Sequence, residues 1–197
     1  MLKWYTPEIH LREAPAMKHA AFLLILALTP SVNLCAGAQT KQPPTTLRGV
    51  LLEQLHTTHD QEDWFVPVSI AVDGLTAEQA KWTPPGGGHS VGQLAYHLWF
   101  WNTTELAHFK GEKPPAFSGN NDETFNDFNA AQWADLVKKL NQVLTDWDNA
   151  VEQADDQKLA ANASLIAHVG THNAYHTGQI IYVRKLEGAW DPGKGVK

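Results

Sequence analysis

Apolar residues recur at helical spacing along most of the chain. Leu47, Leu51, Leu55 and His59 fall at every fourth position, the stripe of an amphipathic helix, and Thr45 or Thr46 stands where a cap is needed. The pattern predicts a first helix reaching to about Val72, kinked or ended early near Asp63 because Pro67 lies within it. Gly74 supplies a stop, and Leu75 to Trp82 reads as a short helical turn before the breaker run Pro84-Pro85-Gly86-Gly87-Gly88. The second helix has the clearest start: Ser90 with Gln93 three residues on forms a capping box ahead of Leu94, Leu98 and Trp101, and the helix ends near Phe109. Lys110 to about Asp122 is rich in Pro, Gly and Asn and predicts a long loop at one end of the fold.

A third helix is predicted from roughly Asp127 to Ala154, with Trp133, Leu136 or Val137, Leu140, Leu144, Trp147 and Val151 on one stripe. Asp155-Asp156 and Asn162 read as a break. The fourth helix is then expected from Asn162 or Ser164, through Leu165, Val169, Ile180 and Val183, to Gly188, with Pro192 beyond. Four long amphipathic helices and no convincing alternating strand predict an all-α four-helix bundle over residues 47–190. Residues 39–46 form a Pro-containing tether and 191–197 a tail.

The first 38 residues have a different character. Lys18 and His19 precede the apolar run Ala20 to Leu28, then Pro30 and the small-residue stretch Ala36-Gly37-Ala38. This order describes a secretory signal peptide cleaved after Ala38, and the run is too short for a stable membrane span. Glu8 and Glu13 sit badly in such a signal, which makes Met17 the better initiator. An exported protein, periplasmic or extracellular, without a stable membrane anchor is the expectation. The single cysteine, Cys35, lies inside this segment behind Leu34, where a lipoprotein signal would carry a small side chain, so lipidation there is disfavoured.

Composition narrows the chemistry. The chain is 43% hydrophobic and 18% charged, as a globular domain is, and 197 residues suit one domain. Cleavage after Ala38 would leave 12 basic and 19 acidic residues, a net charge of −7. No block of lysine or arginine survives, so the footprint for a nucleic-acid backbone is missing. A mature chain without cysteine has no disulfide and no thiolate, and any metal must be held by nitrogen and oxygen.

Histidine supplies the nitrogen. Eight of the ten histidines lie beyond Ala38, and His168, His172 and His176 follow one another at four-residue spacing. Residues four apart share a helical face, and two such imidazoles can grip one ion. All three cannot, since residues eight apart are separated by about 12 Å along the axis. The spacing therefore leaves two pairs open, His168 with His172 or His172 with His176. His97, on the apolar face of the second helix, is the best third ligand, and three protein ligands leave a position for water or substrate. No H-E-x-x-H is present, so the zinc-protease reading lacks its general base.

The stretches KWTPPGGGHSVGQLAYHLWFW and HVGTHNAYHTGQIIYVRKLEG resemble the DinB/YfiT-like metal-binding bundles, and the order of features fits from about Leu47 to Gly188. The most specific element is the histidine pair followed by Thr177-Gly178-Gln179. The resemblance implies an up-and-down four-helix bundle with three histidine ligands at one end of its core: His97, His172 and His176. His168 is left as a supporting or core residue. His59 is a further candidate to approach the site, and Tyr96, Trp101, Tyr175, Gln179 and Arg184 are candidates to line a pocket, with Trp99 and Phe100 as walls. His56, His89 and His108 are expected at the surface or at caps. Asp60, Glu62, Asp63 and Glu105 are expected on solvated faces, so no general base is named.

Three neutral imidazoles suit a borderline transition metal rather than Mg or Ca. Zn or Ni is favoured, with Fe, Mn and Cu as further candidates. Such a site could activate water for hydrolysis or an incoming thiol. Members of the resembled family include transferases and isomerases dependent on low-molecular-weight thiols, and expected export away from cytosolic thiols strengthens hydrolysis or plain metal binding. The readings carried forward are a metal-dependent enzyme with a small-molecule substrate, and a non-catalytic metal-binding or stress-associated bundle. Bundles of this kind often pair through an exposed helix face, so a homodimer is compatible with the sequence.

Overall fold

The structure is a computed structural model, and it describes residues 42–195. The signal segment, its cleavage after Ala38, Met17 and Cys35 lie outside the described residues. The helices are α1 (Leu47–His59), α2 (Val68–Val72), α3 (Ala77–Lys81), α4 (Val91–Lys110), α5 (Ala130–Gln153) and α6 (Asp156–Glu187), with short 3-10 turns at Asn121–Thr124 and Pro192–Lys194. No strand occurs among the described residues. No described helix is long and apolar enough to cross a membrane.

The predicted starts follow from side chains that satisfy the orphan amides of a first turn. Thr46 accepts from the Gly49 amide, while Ser90 with Gln93 and Asn129 with Gln132 form full capping boxes. Of the two alternatives for the first helix, the early end is the one found: α1 stops at His59, and Pro67 opens a separate helix α2. One boundary differs from expectation. The last helix starts at Asp156, because Asp155 caps it through a 2.7 Å bond from the Lys158 amide. The acidic pair is a start signal, and Asn162 sits inside the helix with its side-chain amide donating to the Lys158 carbonyl.

α1 and α4 each pack on both α5 and α6, which gives the expected four-helix bundle. Its core is the predicted stripe of α5, with Leu140, Trp147 and Val151 fully buried, together with Leu98, Ile166 and Ile180. The path is not strictly up-and-down. Gly92 lies against Phe128 near the start of α5, Lys139 sits over Trp99, and Phe109 packs on Trp147, so α4 and α5 run in the same direction. The segment 111–129 carries the chain back along the bundle between them. It is therefore a crossover rather than a loop confined to one end, and it brings the Asn121–Thr124 turn against α4.

Two polar devices lock the frame. The Arg48 guanidinium donates to the carbonyls of Val151, Glu152 and Ala154, the unpaired acceptors at the end of α5. Arg184, expected near the pocket, is instead buried at the other end of the chain path. It donates to the carbonyls of Ala71, Asp73 and Ala189 and stacks on Trp190.

Candidate metal centre

A pair of buried amides sets how α4 and α6 meet. Asn102 donates to Asn173 Oδ1 at 2.7 Å and to the Leu98 carbonyl at 2.8 Å, and Asn173 donates back to Asn102 Oδ1 at 3.4 Å. Sliding one helix along the other would break both inter-helix bonds and leave the Asn173 amide buried without its partner, so the pair fixes the register. One turn away from it, the same register brings His97 of α4 to His172 and His176 of α6.

The three rings converge. Their centroids lie 5.2 Å (His97 to His172), 4.6 Å (His97 to His176) and 4.5 Å (His172 to His176) apart. One ring nitrogen from each can be chosen so that all lie within 4.8 Å of one another. His97 Nε2 and His172 Nε2 are 3.2 Å apart, close to the ~3.3 Å that two nitrogens show when both bind one tetrahedral ion at 2.0–2.1 Å. Lone pair facing lone pair at that distance requires a proton or a cation between them.

The surroundings assign tautomers. The Thr124 hydroxyl donates to the Asn121 carbonyl at 2.7 Å, so its oxygen accepts the hydrogen of His97 Nδ1 at 2.6 Å. Gln179 Nε2 donates to the Tyr175 hydroxyl, which turns Oε1 toward His176 Nδ1 at 2.6 Å. In both rings Nδ1 carries the hydrogen and Nε2 presents its lone pair inward, the arrangement that a supporting partner imposes on a metal-binding imidazole. Phe125 lies flat against His97 at 4.3 Å, and His89 stacks on the far face of Phe125 at 3.7 Å.

Electrostatics keep the rings neutral. Burial is the first cause, and the neighbouring imidazoles are the second: they push His97 down to about 3, burial with His176 pushes His172 down to about 4, and burial lowers His176 as well. Neutral imidazoles at physiological pH are the form that binds a metal.

His97 and His172 also form the inner wall of a cleft of about 460 Å³ between α4 and α6. Trp101, Leu165 and Val169 give it apolar sides, and Glu105 and His168 line it further out. The volume is that of a small-molecule site.

The remaining candidates sort clearly. Trp101 stands edge-on to His97 at 6.4 Å and lines the cleft. Tyr175 is exposed, with its ring beside His176 and its hydroxyl on Gln179. His168 lines the cleft one turn from His172 but outside the three-imidazole group. Tyr96 points toward α5, sharing a groove with Trp99 and Phe128, and His59 meets Asp148 of α5 at 3.2 Å. Neither approaches the cluster. Phe100 is buried against Trp101 and Phe117, and Glu105 lines the cleft instead of lying on a solvated face. Asp60, Glu62 and Asp63 are exposed as expected.

Sequence reasoning missed Thr124, Asn121 and Phe125. They lie on the crossover, about 25 residues from His97, and no helical period links them to it. The available signal was the Asn120 to Thr124 run, whose capping side chains build a turn.

The profile of the DinB superfamily matches residues 68–180, which include all three histidines. No curated protein and no solved structure matches.

Proposed function

Because the chain belongs to the DinB superfamily, we propose that it is an exported protein holding one divalent metal ion, Zn or Ni by preference, on His97, His172 and His176, and that it uses the ion as a metal-dependent enzyme in thiol transfer or hydrolysis. The observation that carries this is the convergence of three neutral imidazoles, two of them with Nε2 turned inward by Thr124 and Gln179, beside a small-molecule cleft that His97 and His172 wall. Bound there, the ion would supply Lewis acidity to a ligand entering from the cleft. The chain's own part is to orient the imidazoles, shield His97 with Phe125 and offer Trp101 as a flat wall for the ligand. Export rests on the basic, apolar and small-residue order from Lys18 to Ala38.

A second reading, a metal-binding bundle without catalysis, draws support from one fact. The carboxylate of the same cleft, Glu105, stands two turns along α4 from His97 and makes its hydrogen bond to His108. Metal analysis of the as-isolated mature protein, followed by assays of electrophile plus thiol and of model esters and amides, separates the two. One ion per chain with turnover supports the enzyme. One ion without turnover of any class supports the second reading, and a chain that neither carries nor takes up metal overturns both.

A further inference from the structure

The cleft beside the three imidazoles has a charge pattern that its ligand must match. Its inner end is formed by His97 and His172, its middle by Trp101, Leu165 and Val169, and its outer part includes Glu105. Among the described residues no lysine or arginine lines it, Glu105 is its one carboxylate, and His168 is the further imidazole on its outer part. The His108 imidazole engages Oε2 of that carboxylate at 3.3 Å from the solvent side of α4. Glu105 follows His97 by eight residues on one straight helix, a rise of about 12 Å. Subtracting about 3 Å for a hydrogen bond leaves roughly 9 Å between a group held at the imidazoles and a donor held on Glu105.

We infer that the cleft selects a slender ligand with a metal-seeking head and a cationic amine at the other end, and that Glu105 is the residue that determines this specificity. Resting on the proposed metal site, the inference deepens it by naming the substrate class: amine-bearing thiols, esters or amides, rather than ligands with a carboxylate or phosphate tail. An anionic tail would meet the Glu105 carboxylate with no lysine or arginine in the lining to offset the repulsion, and Trp101 and Val169 would strip part of its water. An ammonium tail gains one charge-assisted hydrogen bond in the same place.

The test uses cobalt-loaded mature protein and three thiols of one length: aminohexanethiol, mercaptohexanol and mercaptohexanoic acid. Binding is read from the thiolate-to-cobalt charge-transfer band, and cobalt content is measured separately. The amine probe should bind wild-type protein at least about tenfold more tightly than the acid, the size of one charge-assisted bond. Glu105→Gln should bring the amine probe to the level of the alcohol, and Glu105→Lys should make the acid the tightest of the three, both with full cobalt content. Full cobalt uptake with equal affinity for amine and acid, or a preference that survives Glu105→Gln, overturns the specificity assignment and leaves the metal site standing. Failure to take up cobalt overturns the metal site and this inference with it.

Discussion

Thr124 holds His97 and Gln179 holds His176, while His172 meets His97, and these different settings make the residues separable by mutation. His97→Ala, His172→Ala and His176→Ala should each reduce bound metal from one ion per chain to a substoichiometric level by elemental analysis. His168→Ala should leave the content unchanged, because that ring lies outside the converging group although it lines the same cleft. Equal loss from His168→Ala with retention in His176→Ala would reassign the α6 pair. Thr124 gives a finer test. Its oxygen is the acceptor that keeps the hydrogen of His97 on Nδ1, and Thr124→Val preserves the shape while deleting that acceptor. Loss of such a supporting bond weakens metal affinity by roughly 10- to 100-fold. A chelator competition in which Thr124→Val matches wild type would remove Thr124 from the site.

At the level of the elements, the start of α4 and the crossover carry the burden. Gly92 is on the first turn of α4, and a Cβ there would stand 1.9 Å from Cε1 of Phe128, whose ring also packs on Trp133. Gly92→Ala must therefore displace a buried ring, at about 1–3 kcal/mol. Ser90→Ala in the same turn loses a cap, at about 1 kcal/mol. Urea unfolding should rank Gly92→Ala as the more damaging, and an unchanged midpoint would mean that Phe128 has room to move. The same turn shows what local sequence can and cannot tell. Ser90 with Gln93, the α5 stripe from Trp133 to Val151, and the His172 and His176 spacing were all legible because each is governed by contacts within four residues. The Asp155-Asp156 pair was ambiguous, since an acidic residue between two helices ends one and caps the next with equal ease. The crossover was not legible. Whether α5 runs with α4 or against it depends on how segment 111–129 packs, and with it went the identity of Thr124, Asn121 and Phe125 as neighbours of His97. Glu105 was misplaced for the same reason: its helical face is solvated or lines a cleft according to where α6 lies.

For the molecule as a whole, the cluster couples folding to pH. In the unfolded chain His97, His172 and His176 titrate near 6.5, whereas in the folded chain burial pushes His97 down to about 3 and His172 to about 4, and lowers His176 too. Below about pH 6.5 the unfolded state takes up protons that the folded state refuses, so stability rises with pH across this range and falls on acidification. The contribution is fully present above 6.5 and is lost progressively as the folded values are approached. Each imidazole so held costs up to about 1.4 kcal/mol per pH unit. Ordinary carboxylates titrate below about pH 5, so the interval from about 6.5 to 5 belongs to histidine. Metal-free protein should show a nearly constant Tm above that interval and a falling one within it, and His172→Gln should flatten the slope by removing one of the three groups. Zinc should raise Tm at neutral pH through its preference for the folded state, and the increment should shrink toward pH 5 as protons compete for the same nitrogens. A Tm that does not change across the interval in metal-free protein, or a slope that His172→Gln leaves intact, would show that the fold does not hold these imidazoles neutral, and the argument that they are preset for a metal would fail with it.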